Sequence, residues 1–347
     1  MPRTRYNIWV LTPIDRFSWP AAQLIAAHPP QFRHPNKRAV HDLACPPGAV
    51  HSGTVTVTRW EALPLPTSVP ARLPVLEERL GFFVYGTAPA GGVAWHQNFA
   101  DPELFGFYAG GLFAQDEMQV SEHPALASVR DALLTAGARA LTVEYGQPTP
   151  VLVAGVERRC AVDTAPSRDA QRSFGLYGNR FGAATPAVVR AATRVLQPPT
   201  ITNLLAMAAL GGGRGAYTRE DINWMLRNAT TGYTAAVAES KARAPGATVT
   251  MHTGFWGCGA FGGNRVLMTV LQAVAARLAG MDMLVMYFGD SSGLPPVTEA
   301  RALVAEIEAG AAVADVVEDL VARDFRWGAS DGNGPRPPPI TPNPPLP

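Results

Sequence analysis

Two stretches of the chain carry residue types at spacings that suit chemistry. The first is residues 253 to 263, Thr-Gly-Phe-Trp-Gly-Cys-Gly-Ala-Phe-Gly-Gly, with five glycines in eleven residues. A β-branched run, Ala247-Thr-Val-Thr-Met251, precedes it and reads as a strand. Val266, Leu267, Val270, Leu271, Val274 and Leu278 follow at helical spacing. Strand, glycine loop and helix in that order let backbone N–H groups turn towards one point, and the helix adds its unpaired N-terminal donors and positive dipole end. Such a loop suits a phosphate or pyrophosphate. No Gly-Lys-Ser/Thr closes it, so it is not a Walker loop, and it is out of register with the Rossmann fingerprint. Its plainer reading is a tight turn packed by Phe255, Trp256 and Phe261. The second stretch is Gln115-Asp116-Glu117. Adjacent carboxylates at a helix start complement the dipole without any further role.

The elements that must position these groups are read from periodicity. Tyr6–Thr12 reads as a strand, Ala21–Ala27 as a short helix, residues 28–53 as loop, and Thr54–Leu63 as a strand. Gly81–Gly86 and Val93–Phe99 read as strands, Pro124–Ala136 as a helix, and Ala140–Tyr145, Val151–Val156 and Cys160–Thr164 as strands. Residues 166–185 read as a surface insertion, Pro186–Leu196 and Thr202–Leu210 as helices, and Gly211–Gly215 as a flexible linker. Thr218 is a plausible N-cap for a helix running to Ala242. Met283–Phe288 reads as a buried strand, Val297–Ala322 as one helix, and the Pro-rich stretch from Ala329 as a disordered or polyproline tail. Alternation of strands and helices argues for α/β with a mixed or parallel sheet, whose ligands sit at strand carboxyl ends.

Composition narrows the class. The chain has 347 residues, 47% hydrophobic and 16% charged, enough for a sizeable core. Direct nucleic-acid binding is not implied by a net charge of +1. Cys45, Cys160 and Cys258 are odd in number and widely spaced, which points to a reducing, cytoplasmic compartment without disulfides. No signal peptide or bilayer-spanning run is evident. His96, His123 and His252 lack metal spacing, and His252 reads as structural. Cys258 sits at a helix start, where thiols acidify, but His252 is the only base near it in sequence.

One resemblance ties the pieces together. His252-Thr-Gly-Phe-Trp-Gly-Cys-Gly-Ala-Phe-Gly-Gly-Asn264 resembles the signature Ala-Thr-Gly-Asn-Trp-Gly-Cys-Gly-Ala-Phe-Gly-Gly-Asp of the poly(ADP-ribose) glycohydrolase family. Val270–Ala276 and Tyr287-Phe-Gly-Asp290 extend it. Gln115-Asp116-Glu117, followed by Pro124, resembles the family's Gln-Glu-Glu segment, and Asn98-Phe99-Ala100-Asp101 resembles its Asp-Phe-Ala-Asn. Arg158-Arg-Cys160 and Ile222-Asn to Gly232-Tyr look like further matched points, so residues 80 to 295 are covered.

The resemblance implies a macrodomain-like three-layer α/β/α fold with a mixed sheet. Residues 1–75 are then an N-terminal extension packed on the core, 76–328 the catalytic domain and 329–347 the tail. It implies a hydrolase that cleaves the glycosidic bond of poly- or mono-ADP-ribosyl groups, without metal or cofactor. Its partners are ADP-ribose or an ADP-ribosylated macromolecule, with no membrane. Glu117 takes the place of the catalytic acid and Asp116 that of a glutamate holding the distal ribose. Asn98, Asp101, Gly110, Gly111 and Gln115 fall on one wall of the ligand site. Thr253, Gly254, Phe255, Gly257, Cys258, Gly259, Ala260, Phe261 and Gly262 fall on the other, with Cys258 explained as part of a packed loop. Phe288 or Tyr287 takes the adenine-stacking place. The departures are Phe105-Gly106-Phe107 where the family has three glycines, Phe255 for asparagine, and an exchange of Asn98 and Asp101 that would preserve a hydrogen bond between them. A reader that binds ADP-ribose with little turnover is the alternative.

Overall fold

The sheet is built from runs whose alternate side chains are buried on opposite faces. The structure is a computed structural model that describes residues 12–332 apart from Thr87 and Pro89. The expected strand at Tyr6–Thr12 lies, save Thr12, outside the described residues, as do residues 333–347. The first half contains β1 (Asp15–Pro20), α1 (Ala21–Ala27), α2 (Pro35–Ala44), β2 (Thr54–Arg59), β3 (Val75–Arg79), β4 (Gly92–Ala100), α3 (Gln115–Glu122) and α4 (Ala125–Thr135). Two short strands, β5 (Val143–Glu144) and β6 (Gln147–Pro148), lead into β7 (Val151–Val162), α5 (Asn179–Ala183), α6 (Pro186–Ala192) and β8 (Thr193–Ala208). The chain continues through α7 (Arg219–Arg243), β9 (Thr248–Gly254), α8 (Arg265–Leu278), β10 (Met283–Tyr287), α9 (Leu294–Glu306) and α10 (Val313–Ala322).

Eight strands form one mixed sheet in the order β1-β2-β7-β8-β4-β9-β10-β3. From β8 to β3 the neighbours are parallel, and β1, β2, β7 and β8 pair antiparallel in turn. Leu152, Ala154, Leu205 and Met207 pack with α7 and α8 on one face. Val151, Val153, Leu204 and Ala206 pack with α1 and α4 on the other. Helices therefore cover both faces, and the architecture is the expected three-layer α/β/α. Residues 15–59 supply two strands of this same sheet.

Of Thr202–Leu210, expected as a helix, residues 202–208 are instead the end of β8. Its Leu, Ala and Met residues favour helix by at most ~0.7 kcal/mol each over ordinary residues. Burying an apolar side chain between two helical layers contributes about 1.5–3 kcal/mol, so the tertiary setting wins. The helix expected over Pro186–Leu196 stops at Ala192 for the same reason, because Thr193 enters β8. The two strands expected at Val151–Val156 and Cys160–Thr164 are one strand, β7, with register shifts between Val153 and Val156 and between Arg158 and Cys160. Gly81–Gly86 joins no ladder, and the edge strand is β3 just before it. Ala140–Tyr145 retains only an isolated bridge at Leu141 and the two-residue β5.

The expected loop at 28–53 contains α2, whose Pro35 occupies the first turn, where a missing N–H costs nothing. The expected helix 297–322 divides into α9 and α10 around Gly310, at φ +85°. The 166–185 insertion buries Leu176 and Phe181 in a small core with Val40 and Phe113. Gly211–Gly215 is no free linker: the Trp327 ring lies so close to Gly213 that a Cβ there would overlap it.

Candidate active site

The parallel strands β4, β8, β9 and β10 bring their carboxyl ends to one edge, where ligands of open α/β sheets bind. A cleft of about 960 Å³ opens there.

On one side the cleft is floored by the first turn of α3. Gln115 fastens this turn to β4 by pairing like a strand residue: its Nε2 donates to the Gln97 carbonyl (3.0 Å) and its Oε1 accepts the Phe99 N–H (2.7 Å). Asp116 and Glu117 are both buried, 6% and 3% exposed. Asn98 Nδ2 donates to Asp116 Oδ1 (3.0 Å) and to Gln119 Oε1 (2.9 Å). Glu117 Oε2 accepts the Ala114 N–H at 3.0 Å.

Burial pushes both carboxyls above the usual carboxylate range. The charge of Glu117 adds to the shift of Asp116, and Asn98 opposes it. Lys37 and the Ala114 N–H oppose that of Glu117. Asp101 Oδ1 accepts the Glu103 N–H at 3.0 Å. The expected bond between Asn98 and Asp101 is thus replaced by separate partners: Asn98 faces α3, and Asp101 caps the turn after β4.

The opposite side is the glycine loop. Thr253 is buried, and its hydroxyl bonds Gln97 Oε1 (3.0 Å) and Gln272 Oε1 (2.5 Å). Gln272 Nε2 in turn donates to the Gly254 carbonyl at 3.0 Å, holding the entry to the loop. Trp256 is fully buried and donates to the Met207 carbonyl at 2.9 Å. Gly257 is at φ +73°, and a Cβ there would lie 2.5 Å from Ala209 Cβ, so only glycine fits. Among the described residues the N–H groups of Gly257, Gly259, Ala260 and Phe261 meet no acceptor, and all four residues line the cleft. Asn264 caps α8 by accepting the N–H groups of Val266 and Leu267. The donors left over at this end are therefore those of the loop, an arrangement of the kind that suits an anion. Burial pushes the Cys258 thiol up rather than down, so the loop does not make a thiolate.

Aromatic side chains close the cleft. Phe255 and Phe288 line it together, and the Arg265 guanidinium lies 4.9 Å from the Phe255 ring. Tyr287 is 5% exposed, with its ring 5.3 Å from Phe83 and tilted against His252, so Phe288 is the more open of the two. Phe107 lines the cleft at 37% exposure. Phe105, at φ +53°, turns wholly into the core, so one of the two side chains replacing the family's glycines never reaches the ligand space.

Of the expected site residues, Asp101, Gln115, Asp116, Glu117, Gly254, Phe255, Gly257, Cys258, Gly259, Ala260, Phe261 and Phe288 share the cleft. Asn98, Thr253 and Gly262 sit behind its walls. Gly110 and Gly111 do not line it; Gly111 instead lets the chain pass His34 and Gly182 closely.

Sequence reasoning missed several groups. The unladdered segment 82–85, Tyr177, and the buried Arg158–Glu122 pair all line the cleft. Asp331 also lines it: residues 328–332, which include the start of the expected tail, run along the loop through the Gly328 N–H to the Gly262 carbonyl. Lys37 lies beneath Glu117. The one readable signal for its helix was His34-Pro35, a helix-start pattern. Among the described residues no group of three His, Cys, Asp or Glu is arranged to hold a metal ion, and no helix is long and apolar enough to cross a membrane.

The raised carboxyls carry a stability cost with a defined pH dependence. A carboxyl whose folded pKa lies above its unfolded value favours the folded state most below the unfolded value, and that contribution is lost as pH rises through the folded value. Asp116→Asn keeps an acceptor for Asn98 and removes the charge. It is expected to stabilise the protein by about 1 kcal/mol at pH 7.5, within the range of such single changes. The gain should vanish below about pH 4, where the unfolded carboxyl is itself protonated. Denaturant melts of both proteins across pH measure this; a gain of equal size at every pH would contradict it.

Residues 175–293 match the profile of the poly(ADP-ribose) glycohydrolase catalytic domain, described as having the macro domain fold. No curated protein matches the chain by sequence. Among solved structures it is similar to the poly(ADP-ribose) glycohydrolase of Thermomonospora curvata, at 16% identity and TM-score 0.41 over 79% of this chain and 98% of that one. It is also similar to the enzyme of Deinococcus radiodurans in complex with ADP-ribose, at 10% identity and TM-score 0.38 over 83% and 95%.

Proposed function

We propose that this chain, which over residues 175–293 belongs to the poly(ADP-ribose) glycohydrolase family, hydrolyses the glycosidic bond of ADP-ribosyl groups with Glu117 as general acid and base. The observation that carries the reading is the pairing of two unlike walls across one cleft. Four backbone donors at 257–261 that meet no acceptor among the described residues suit a pyrophosphate, and a buried carboxyl held up in its pKa faces the same space.

Protonated Glu117 gives its proton to the ribosyl oxygen as the C1″–O bond breaks, and the cationic centre at C1″ develops. The resulting carboxylate then takes a proton from the water that attacks C1″, returning Glu117 to the acid form. Asp116, held by Asn98, orients the ribose hydroxyls. The cradle binds the pyrophosphate, and Phe288 with Phe255 offers ring faces to the adenine.

The acid form must be present, so kcat/KM is expected to fall as pH rises through the raised pKa of Glu117 rather than near the usual carboxylate value. The test is incubation of the protein with poly- and mono-ADP-ribosylated substrates across pH, reading released ADP-ribose, beside calorimetry with ADP-ribose. Release with that alkaline limb supports the reading. Tight binding without release from either substrate makes the protein a reader instead. Failure to bind ADP-ribose ends both readings.

A further inference from the structure

We propose that Lys37 is the positioning residue of the acid: its ammonium, enclosed behind the first turn of α3, holds Glu117 in place and sets the pH range over which it acts. This rests on the reading of Glu117 as the acid.

Lys37 lies on α2 and is completely buried. Its Nζ donates to the Glu117 carbonyl oxygen at 3.4 Å. The same Nζ lies 5.0 Å from the Phe113 ring and 5.8 Å from the Phe181 ring, and these two rings stack at 3.9 Å. Among the described residues no carboxylate lies within ion-pair distance of it. A buried cation without such a partner is costly, and a hydrocarbon side chain would fill this aromatic box at less cost.

The helix is held rigidly in place. Asn36 Nδ2 donates to the Phe181 (2.6 Å) and Ala184 (2.8 Å) carbonyls, and the Asn36 N–H donates to His34 Nδ1. The ammonium is thus fixed against the backbone of Glu117, whose side chain lines the cleft.

The groups around Glu117 are Asp116 on its own helix, Asp101 after β4, Tyr177 on the loop before α5, and Lys37. The groups around Lys37 are Glu117, Asp116 and His34. Among the described residues Lys37 is the cation that acts on Glu117, and it holds the carboxyl pKa down against burial and the neighbouring acids. Burial lowers Lys37 itself to about 8 while both carboxyls resist, so it is charged at neutral pH.

The sign follows. Removing the cation lets the Glu117 pKa rise further, so the alkaline limb of the rate profile moves to higher pH. Lys37→Met and Lys37→Gln are each expected to move the limb of kcat/KM up by about one pH unit, the lower end for a charge at this range. ADP-ribose affinity should be unchanged and Lys37→Arg should keep a limb no higher than that of the wild type. A rate lowered by the same factor at every pH, or a limb that does not move, overturns the proposal.

Should neither neutral variant fold, Lys37→Arg decides. Its cation persists above pH 8, where Lys37 loses its own, so its rate should fall faster there than that of the wild type, and an identical profile overturns the proposal. Glu117→Gln, run beside these, separates the two inferences. If it turns over normally, the acid has been misassigned. If it is inactive while the limbs stay fixed, only the role of Lys37 fails.

Discussion

Glu117→Gln is expected to lower ADP-ribose release by about 10²–10⁴-fold, the usual worth of a general acid–base group, while leaving ADP-ribose binding intact. The replacement is nearly isosteric. Its amide oxygen can still accept the Ala114 N–H that Glu117 Oε2 now accepts, so the first turn of α3 keeps its cap. What is lost is the proton for the departing oxygen and the base for the incoming water. The folded protein should not weaken, because the variant no longer buries a carboxyl that burial disfavours. Turnover, calorimetry and a thermal melt on the same preparation separate the outcomes. A loss of turnover below tenfold would move the acid elsewhere in the cleft, with Asp116 the next group to test. A loss of binding in parallel would mean that the carboxyl holds the ligand rather than reacting with it.

The second large effect is on stability. Arg158→Met is expected to destabilise the protein by about 3–5 kcal/mol, the cost of leaving one member of a buried ion pair alone. Arg158 Nε donates to Glu122 Oε2 at 2.8 Å, and Glu122 Oε1 accepts the Val162 N–H at 2.8 Å. The guanidinium also lies 4.1 Å from the centre of the Tyr85 ring, whose hydroxyl accepts from Gln119 Nε2. One guanidinium therefore ties the end of α3, the β7 strand and the segment 82–85 that closes the cleft.

After the substitution Glu122 retains one N–H and, of the cations acting on it, only the more distant Arg194. Its carboxyl, already above the usual range through burial, would rise further, so the deficit should shrink as pH falls and the group is protonated. Adding Glu122→Gln to Arg158→Met should restore much of the loss, since the pair is in direct contact. Urea melts of the four proteins of that cycle measure the coupling. A single-variant cost under about 1 kcal/mol, the size of an exposed pair, would show that Arg158 works for the ligand and not for the fold.

Local chemistry was legible where a few consecutive residues decide the outcome. Thr248–Gly254, the glycine loop and Arg265–Leu278 were readable as strand, cradle and helix, because β-branched residues, close-spaced glycines and an apolar 3.6-residue period each act over a few positions. Helix α7 announced itself through Thr218, whose hydroxyl accepts the Asp221 N–H while Asp221 accepts the Thr218 N–H. The pairing of Gln115-Asp-Glu117 with the loop came from a family resemblance; spacing alone left those carboxylates as ordinary helix-start residues.

The rest was decided by what each segment meets in space. Thr202–Leu210 carries helix-favouring residues and becomes a strand because both its faces are buried. Phe105 and Phe107, alike in sequence, part ways, one into the core and one to the cleft mouth. Lys37 is unremarkable in a His- and Pro-rich stretch, yet it is buried and its ammonium donates to the backbone carbonyl of Glu117, 80 residues further on. The sequence by itself determined that a glycine-rich loop stands between β9 and α8, since glycine geometry is a local property. Only the tertiary structure decided which carboxyls share the cleft with that loop, that burial raises those of Asp116 and Glu117, and which buried cation lies behind them, because desolvation and Coulomb forces depend on distance in space and not along the chain.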